Sequence, residues 1–325
     1  MSGALDPRSV LLTGAGGYLG SGTLRRMAQN DAIPGTLVAL DVREIPESDR
    51  VPGVLYVCAD IRDASIIDLF EEHRFDSLVH LVSVVSPGKK DDRAFLYSVD
   101  VEGTKNLLEA CVATGVGQII LTSSGAAYGY HADNPQPLHE NDPLRGNQGF
   151  AYSDHKRLVE EMLAQYRESH PELKQLILRP CTILGETTNN QITAMFHRKR
   201  ILGLSGAASP FVFIWDRDVE ECILKGIEED AAGIYNVAGT GTLTLREIAG
   251  IMDKPYLELP SALVKAALSL LKALGVGQYG PEQVDFLRYR PVLSNEKLID
   301  EFGYTPRKTS REVFDFYLEC NRNKG

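Results

Sequence analysis

Short apolar runs recur along the first two thirds of the chain, at Val10 to Thr13, Thr36 to Leu40, Val54 to Val57, Ser77 to Leu81, Gln118 to Thr122 and Leu176 to Leu178. Their unbroken hydrophobicity predicts strands buried on both faces. Between them lie segments of helical period, such as Gly22 to Gln29, Ile66 to Glu72, Gly103 to Thr114 and Asp154 to Ser169. This alternation predicts an α/β fold with a parallel sheet, doubly wound by helices on both sides. Phe211 to Ile214 and Ile234 to Val237 are candidates to extend that sheet.

Beyond Thr182 the pattern loosens, and beyond Leu243 it is mainly helical, with breaks at Pro255, Pro260, Gly275, Pro281 and Pro291. We therefore expect one domain from residues 1–181, completed by 211–238, and a smaller, mainly helical lobe from 182–210 and 239–325. In that lobe Leu263, Ala266, Ala267, Leu270, Leu271 and Leu274 fall at helical spacing, with Lys265 and Lys272 elsewhere on the wheel. The pattern predicts a helix packed in a core or walling an apolar substrate pocket; a membrane-surface helix is the alternative.

Composition narrows the class. The chain has 325 residues, 43% of them hydrophobic and 24% charged, which excludes a disordered or collagen-like chain. Lys and Arg number 34 against 44 Asp and Glu, a net charge of −10 that argues against a broad electrostatic contact with nucleic acid or anionic lipid. A small molecule is the expected partner. Five scattered cysteines (Cys58, Cys111, Cys181, Cys222 and Cys320) form no CxxC pair, as expected of a protein in a reducing cytoplasm. The N-terminal apolar run leads directly into a glycine motif and is not expected to be a signal peptide. No stretch approaches the ~20 apolar residues of a membrane span.

The first strand runs into Gly14-Ala15-Gly16-Gly17-Tyr18-Leu19-Gly20 and then a helix. Gly14 permits the tight turn, Gly17 lets backbone approach a pyrophosphate, and Gly20 allows close helix–strand contact. With Tyr18 and Leu19 they form the candidate phosphate cradle at a positive helix end. Asp41 ends the second strand, where a carboxylate would accept hydrogen bonds from an adenosine ribose and repel a 2′-phosphate. That favours NAD over NADP, with Arg43 softening the preference. Asp60 and Ile61, after the third strand, are placed to meet the adenine amino group and ring.

After Gln118 to Leu121 comes Thr122-Ser123-Ser124, and Tyr152-Ser153-Asp154-His155-Lys156 opens a later helix. The four-residue step sets the Tyr152 phenol and Lys156 ammonium on one helix face. A tyrosine is a poor base at neutral pH, but a nearby cation and an oxidised nicotinamide would both stabilise its phenolate. Tyr152 is therefore the candidate acid–base, Ser124 the hydrogen-bond partner of the same substrate oxygen, and hydride passes between substrate carbon and cofactor.

In this combination the sequence resembles the extended short-chain dehydrogenase/reductase family, the NAD-dependent epimerase/dehydratases. The resemblance runs from Val10 to about Ala249 and includes Gly103-Thr104-Lys105-Asn106-Leu107-Leu108-Glu109-Ala110, Arg179-Pro180 and Tyr235-Asn236-Val237. It implies a Rossmann-type domain holding NAD(P), a C-terminal lobe closing over the substrate, and Ser124, Tyr152 and Lys156 as catalytic residues, with Lys156 also holding the nicotinamide ribose. It further implies that Leu81-Val82-Ser83 line the cofactor cleft, that Pro180-Cys181 lie near the carboxamide, and that two subunits dimerise through Ala94 to Thr114 and Asp154 to Ser169.

The chain departs from its sugar-nucleotide relatives. Thr182 stands where Asn is usual, Asp100 replaces another Asn, and Phe211 to Asp218 offers apolar groups where Arg and His are common. These departures favour an apolar or moderately polar alcohol or carbonyl over a charged diphosphate. His197-Arg198-Lys199-Arg200, the one basic run able to hold a phosphate, is read as a solvated helix face. No histidine spacing fits a metal site, and His80 is read as a core residue. The leading function is an NAD-dependent oxidoreductase or epimerase, the alternatives a nucleotide-sugar 4-epimerase or dehydratase and a non-catalytic NAD-sensing protein.

Overall fold

The structure is a computed structural model and describes residues 8–30, 35–85, 92–274, 280 and 282–322. The breaks foreseen at Gly275 and Pro281 lie outside the described residues. Seven strands form one wholly parallel sheet, ordered Gly233–Val237, Lys174–Pro180, Gln118–Thr122, Ser77–His80, Val10–Thr13, Leu37–Asp41 and Val54–Cys58. The strands at the centre of the sheet are buried throughout, as their apolar runs require.

Helices cover both faces. Tyr18–Ala28 and Asp216–Glu228 bury Leu24, Met27, Val219 and Ile223 against one side. Ile66–His73, Gly103–Thr114 and Ala151–Ser169 bury Phe70, Leu107, Leu108 and Leu163 against the other. The chain winds outward from Val10–Thr13 to one edge, returns to Ser77–His80, and winds outward to the other edge. Between those two strands the order reverses, and this opens a crevice at their C-terminal ends.

Gly14 lies at that crevice with φ +80°, and a Cβ there would sit 3.1 Å from the Leu81 carbonyl carbon and the Val82 nitrogen. The helix at the turn begins at Tyr18, four residues ahead of the sequence expectation, because the glycines themselves lead into its first turn.

Two expectations are corrected. Phe211 to Ile214 does not extend the main sheet. Pro210–Phe211 pairs antiparallel with Leu243–Thr244, and Phe213–Trp215 pairs with Thr182–Leu184. Phe211 and Phe213 instead pack with Phe196, Phe314 and Tyr317, and this aromatic cluster forms the lobe's own core. Only Ile234 to Val237 joins the large sheet, as part of its edge strand.

The helix Ser261–Ala273 is not packed in a core, since Leu263, Leu270 and, just beyond its end, Leu274 are 58%, 61% and 64% exposed. Its most extensive contacts are with the short helix Glu282–Arg288.

A Cβ at position 20 would lie 2.1 Å from the Gly14 carbonyl oxygen, a backbone atom that cannot swing aside. Gly20→Ala is expected to destabilise the protein by ~2 kcal/mol or more and to weaken dinucleotide binding, read by thermal melting and by NAD titration.

Candidate active site

The glycine turn is built by its own backbone. Gly17 N–H donates to the Gly14 carbonyl oxygen at 3.0 Å, and the helix that follows has Gly17 as an N-cap with no side-chain capping bond. The first helical N–H groups, Tyr18 and Leu19 among them, therefore face the crevice, an arrangement suited to phosphate. The Tyr18 side chain does other work: its hydroxyl donates to Asp216 at 2.6 Å and accepts from Thr188 at 2.8 Å, tying the turn to the lobe. Burial and Asp216 push the Tyr18 phenol above its ordinary range.

Asp41 is buried at the end of its strand. Its carboxylate accepts the Gly16 N–H at 2.9 Å and the Arg43 N–H at 3.0 Å, which anchors it beside the turn. A cavity of about 280 Å³ opens next to it, lined by Gly16, Ser21, Arg25, Arg43 and Tyr56. Asp60 is held by Arg62 through paired bonds of 2.9 and 2.5 Å, which lower its carboxyl below the usual range despite some burial. Ile61 packs in the core, where a Cβ on Gly103 would meet it. The residues at the crevice fit a dinucleotide: a glycine turn no side chain could fill, an uncapped helix end, and a fixed carboxylate at ribose distance along the chain.

Ser124, Tyr152 and Lys156 come together although 28 residues separate the first two. Ser124 follows the strand Gln118–Thr122 and caps a short turn by accepting the Ala126 N–H at 3.1 Å. Tyr152 and Lys156 stand in the first turns of Ala151–Ser169. The Ser124 hydroxyl stands close enough to the Tyr152 phenol to act on its ionisation, and the Lys156 Nζ lies 5.8 Å from the Tyr152 ring centre while donating to the Thr122 carbonyl at 2.9 Å. Burial pushes the Tyr152 phenol up to about 12, with Ser124 working the other way. Burial also pulls the Lys156 ammonium down, opposed by Asp100 and Glu160. In the protein alone, then, the phenol holds its proton at neutral pH.

The site includes Asp100, which the sequence already marks as a departure, and further residues that sequence reasoning missed. Asp100 lies in a π-helical turn, Ser98–Glu102, which carries it inward between two α-helical stretches. Its carboxylate accepts the Val84 N–H at 3.0 Å and the Ser83 hydroxyl at 3.2 Å, and contacts His155 Nδ1 at 3.0 Å. Burial works against its ionisation, but His155, Lys156 and the Val84 amide outweigh it and hold the carboxyl below its ordinary value. Tyr130, Phe150 and Phe286 form an aromatic wall with Tyr152, with ring centres 4.3 to 6.0 Å apart.

Arg290 reaches in from the lobe. It donates to Thr182 at 2.9 Å and lies 4.0 Å over the Phe211 ring, with no carboxylate partner among the described residues. Burial pulls its guanidinium down, while Tyr130 and Cys181 oppose this. Nothing at position 290 in the linear pattern points to the site; only the fold delivers it. Cys181, after Pro180, lies within the electrostatic reach of Arg290, so the Pro180-Cys181 step borders the same space.

His197 to Arg200 form an exposed turn after the helix Gln191–Phe196, not a helix face. His80 is a core residue, its Nδ1 2.7 Å from Thr13 and Nε2 3.0 Å from Thr104. Among the described residues no cluster suits a metal ion.

A doubly wound sheet with an open glycine turn at its switch point defines a dinucleotide-binding α/β enzyme. This chain belongs to the NAD dependent epimerase/dehydratase family, whose model matches residues 10–238. It is 24% identical over 316 residues to an uncharacterized protein of Mycobacterium tuberculosis, covering 96% of this chain and 84% of the relative. It is 28% identical over 280 residues to the N-acetyl-alpha-D-glucosaminyl-diphospho-ditrans,octacis-undecaprenol 4-epimerase of Escherichia coli O157:H7, covering 78% and 76% of the two chains. The structure resembles that of a Thermus thermophilus UDP-glucose 4-epimerase in complex with NAD, with a TM-score of 0.71 at 23% identity over 95% of this chain and 98% of the other.

Burial, with the Lys156 cation, lowers His80 to about 3, against the partial opposition of Asp100. Between its ordinary value and about 3 the unfolded chain binds a proton that the folded protein refuses, so this residue removes stability as pH falls through that window. Melting temperatures of the wild type and His80→Gln across that range should show a shallower decline in the variant.

Proposed function

We infer that the enzyme moves a hydride at a hydroxyl-bearing carbon of a sugar carried on a diphosphate, with Tyr152 as the acid–base. The convergence of Ser124, Tyr152 and Lys156 beside the cofactor crevice carries this reading. NAD, when bound, supplies the hydride acceptor and donor. Tyr152 holds or releases the proton of the substrate oxygen at its own phenol oxygen. Ser124 bonds the same oxygen, and Lys156, fixed by the Thr122 carbonyl, keeps a positive charge on the same helix face. Asp41 favours NAD over NADP, since its anchored carboxylate repels a 2′-phosphate. Leu81, Val82 and Pro180 border the nicotinamide end of the crevice in this reading, and Asp60 and Ile61 the adenine end.

Arg290 supports a diphosphate over the uncharged alcohol that the sequence favoured. A half-buried guanidinium beside the site, bonded to one hydroxyl and free of carboxylates among the described residues, awaits an anion. The aromatic wall gives the sugar an apolar face to lie on. Hydride returned within the cycle makes the reaction an epimerisation or dehydration, and the relatives named as 4-epimerases support that outcome. A non-catalytic sensor has no use for the complete Ser124, Tyr152 and Lys156 set. The cysteines, none of them in a disulfide, and the exposed Phe95 and Tyr97 support a homodimer in a reducing cytoplasm, joined through Ala94 to Thr114 and Asp154 to Ser169.

Incubating the enzyme with NAD and a panel of UDP- and dTDP-hexoses should yield an epimerised or dehydrated sugar with no net reduced cofactor; accumulation of NADH would overturn the assignment in favour of a dehydrogenase. Tyr152→Phe should lower turnover ~10²-fold or more while NAD affinity, from fluorescence titration, stays nearly unchanged. Arg290→Ala should raise KM for the active sugar diphosphate ~10-fold or more at near-constant kcat, read by initial rates.

A further inference from the structure

The helix Ser261–Ala273 turns a leucine-rich face to solvent, and the face continues along the chain. The strand leading into the helix, Tyr256–Leu259, pairs with Ile201–Leu204. Leu257 and Leu202 are direct partners in that register and are both exposed. Ahead of Leu202 lie Arg198, Lys199 and Arg200, all exposed, whose side chains make no hydrogen bond or ion pair among the described residues. From Leu259 to Pro281 the chain holds two lysines and no acidic residue, in a protein with a net charge of −10. Apolar and unpaired basic groups are thus concentrated on one small part of an acidic molecule.

We propose that this surface, formed by Ser261–Ala273 with Leu202, Leu257 and the Arg198–Arg200 run, docks the enzyme on an anionic lipid bilayer. A helix of this length is ~20 Å long and lies flat in the headgroup region rather than spanning it. Among the described residues no helix is long and apolar enough to cross a membrane. Its leucines enter the acyl boundary while the unpaired Arg198, Lys199 and Arg200 meet lipid phosphates, each such cation adding to the attraction near the surface.

Charge separates this occupant from a second copy of the chain. A two-fold dimer through the same face would place two like-charged runs at one interface, whereas an anionic surface complements them. The overall negative charge opposes broad adhesion, so binding rests on the local patch. Lys265 pairs with Asp285 at 3.0 Å, which ties the docking helix to the helix bearing Phe286 of the aromatic wall.

The test is sedimentation of the purified protein with vesicles of phosphatidylglycerol and phosphatidylcholine mixed equally, and with phosphatidylcholine alone. The wild type should pellet with the mixed vesicles, more strongly at low salt, and poorly with phosphatidylcholine alone. Leu270→Glu with Leu271→Glu should reduce the bound fraction ~10-fold, and Arg198→Glu with Arg200→Glu should abolish its salt dependence, while melting temperature and NAD binding remain those of the wild type. Failure of the wild type to pellet with mixed vesicles overturns the proposal, as does equal pelleting of wild type and variants. So does a concentration-dependent dimer that dissolves in the leucine variants while no form binds vesicles.

Discussion

The fold turns on a buried ion pair. The Arg179 guanidinium, near the C-terminal end of its strand, binds both oxygens of Glu160, at 2.9 and 2.6 Å, and both residues are almost wholly enclosed. Removing two charges from water costs several kcal/mol each, so the pair is tolerable only because its remaining valences are filled. Arg179 also donates to the Tyr128 hydroxyl at 2.7 Å and the Glu140 carbonyl at 2.9 Å, and Tyr128 donates to Asn236 at 2.9 Å. Glu160 in turn receives Ser123 at 2.5 Å.

This network joins two strands, the serine turn and the helix of Tyr152 and Lys156. Glu160 lies one helical turn beyond Lys156 on the same face, so fixing one orients the other. Removing a single partner would leave an uncompensated buried charge, at a cost of ~3–5 kcal/mol. The geometry of the reacting side chains is thereby coupled to the integrity of the sheet's C-terminal end.

Much of the fold was legible because strands enclosed on both faces must be apolar from end to end, and a doubly wound sheet follows from their alternation with helices. The lobe was less legible. Its strands are two to four residues long and pair with distant segments, and Phe211 to Ile214 looked like a core strand because its aromatics serve a different core. The helix of exposed leucines misled for the opposite reason: its apolar spacing is that of a buried helix, and only tertiary structure shows what leaves it uncovered. The glycine turn and the Ser124, Tyr152 and Lys156 set were legible from residue type and spacing. Arg290, Phe286 and Tyr130 were not, since each gains meaning only from neighbours remote in sequence.

The π-helical turn at Ser98–Glu102 carries one more consequence. A wider turn holds one residue more than a regular helix would, and each residue of an α-helix advances ~100° around the axis. The segment before the turn and the segment after it are therefore out of phase. Shortening this stretch by a single amino acid would let the two merge into one continuous rod, swinging the carboxylate that reaches the Ser83–Val84 loop away from the interior. Length here, as much as residue identity, is under constraint.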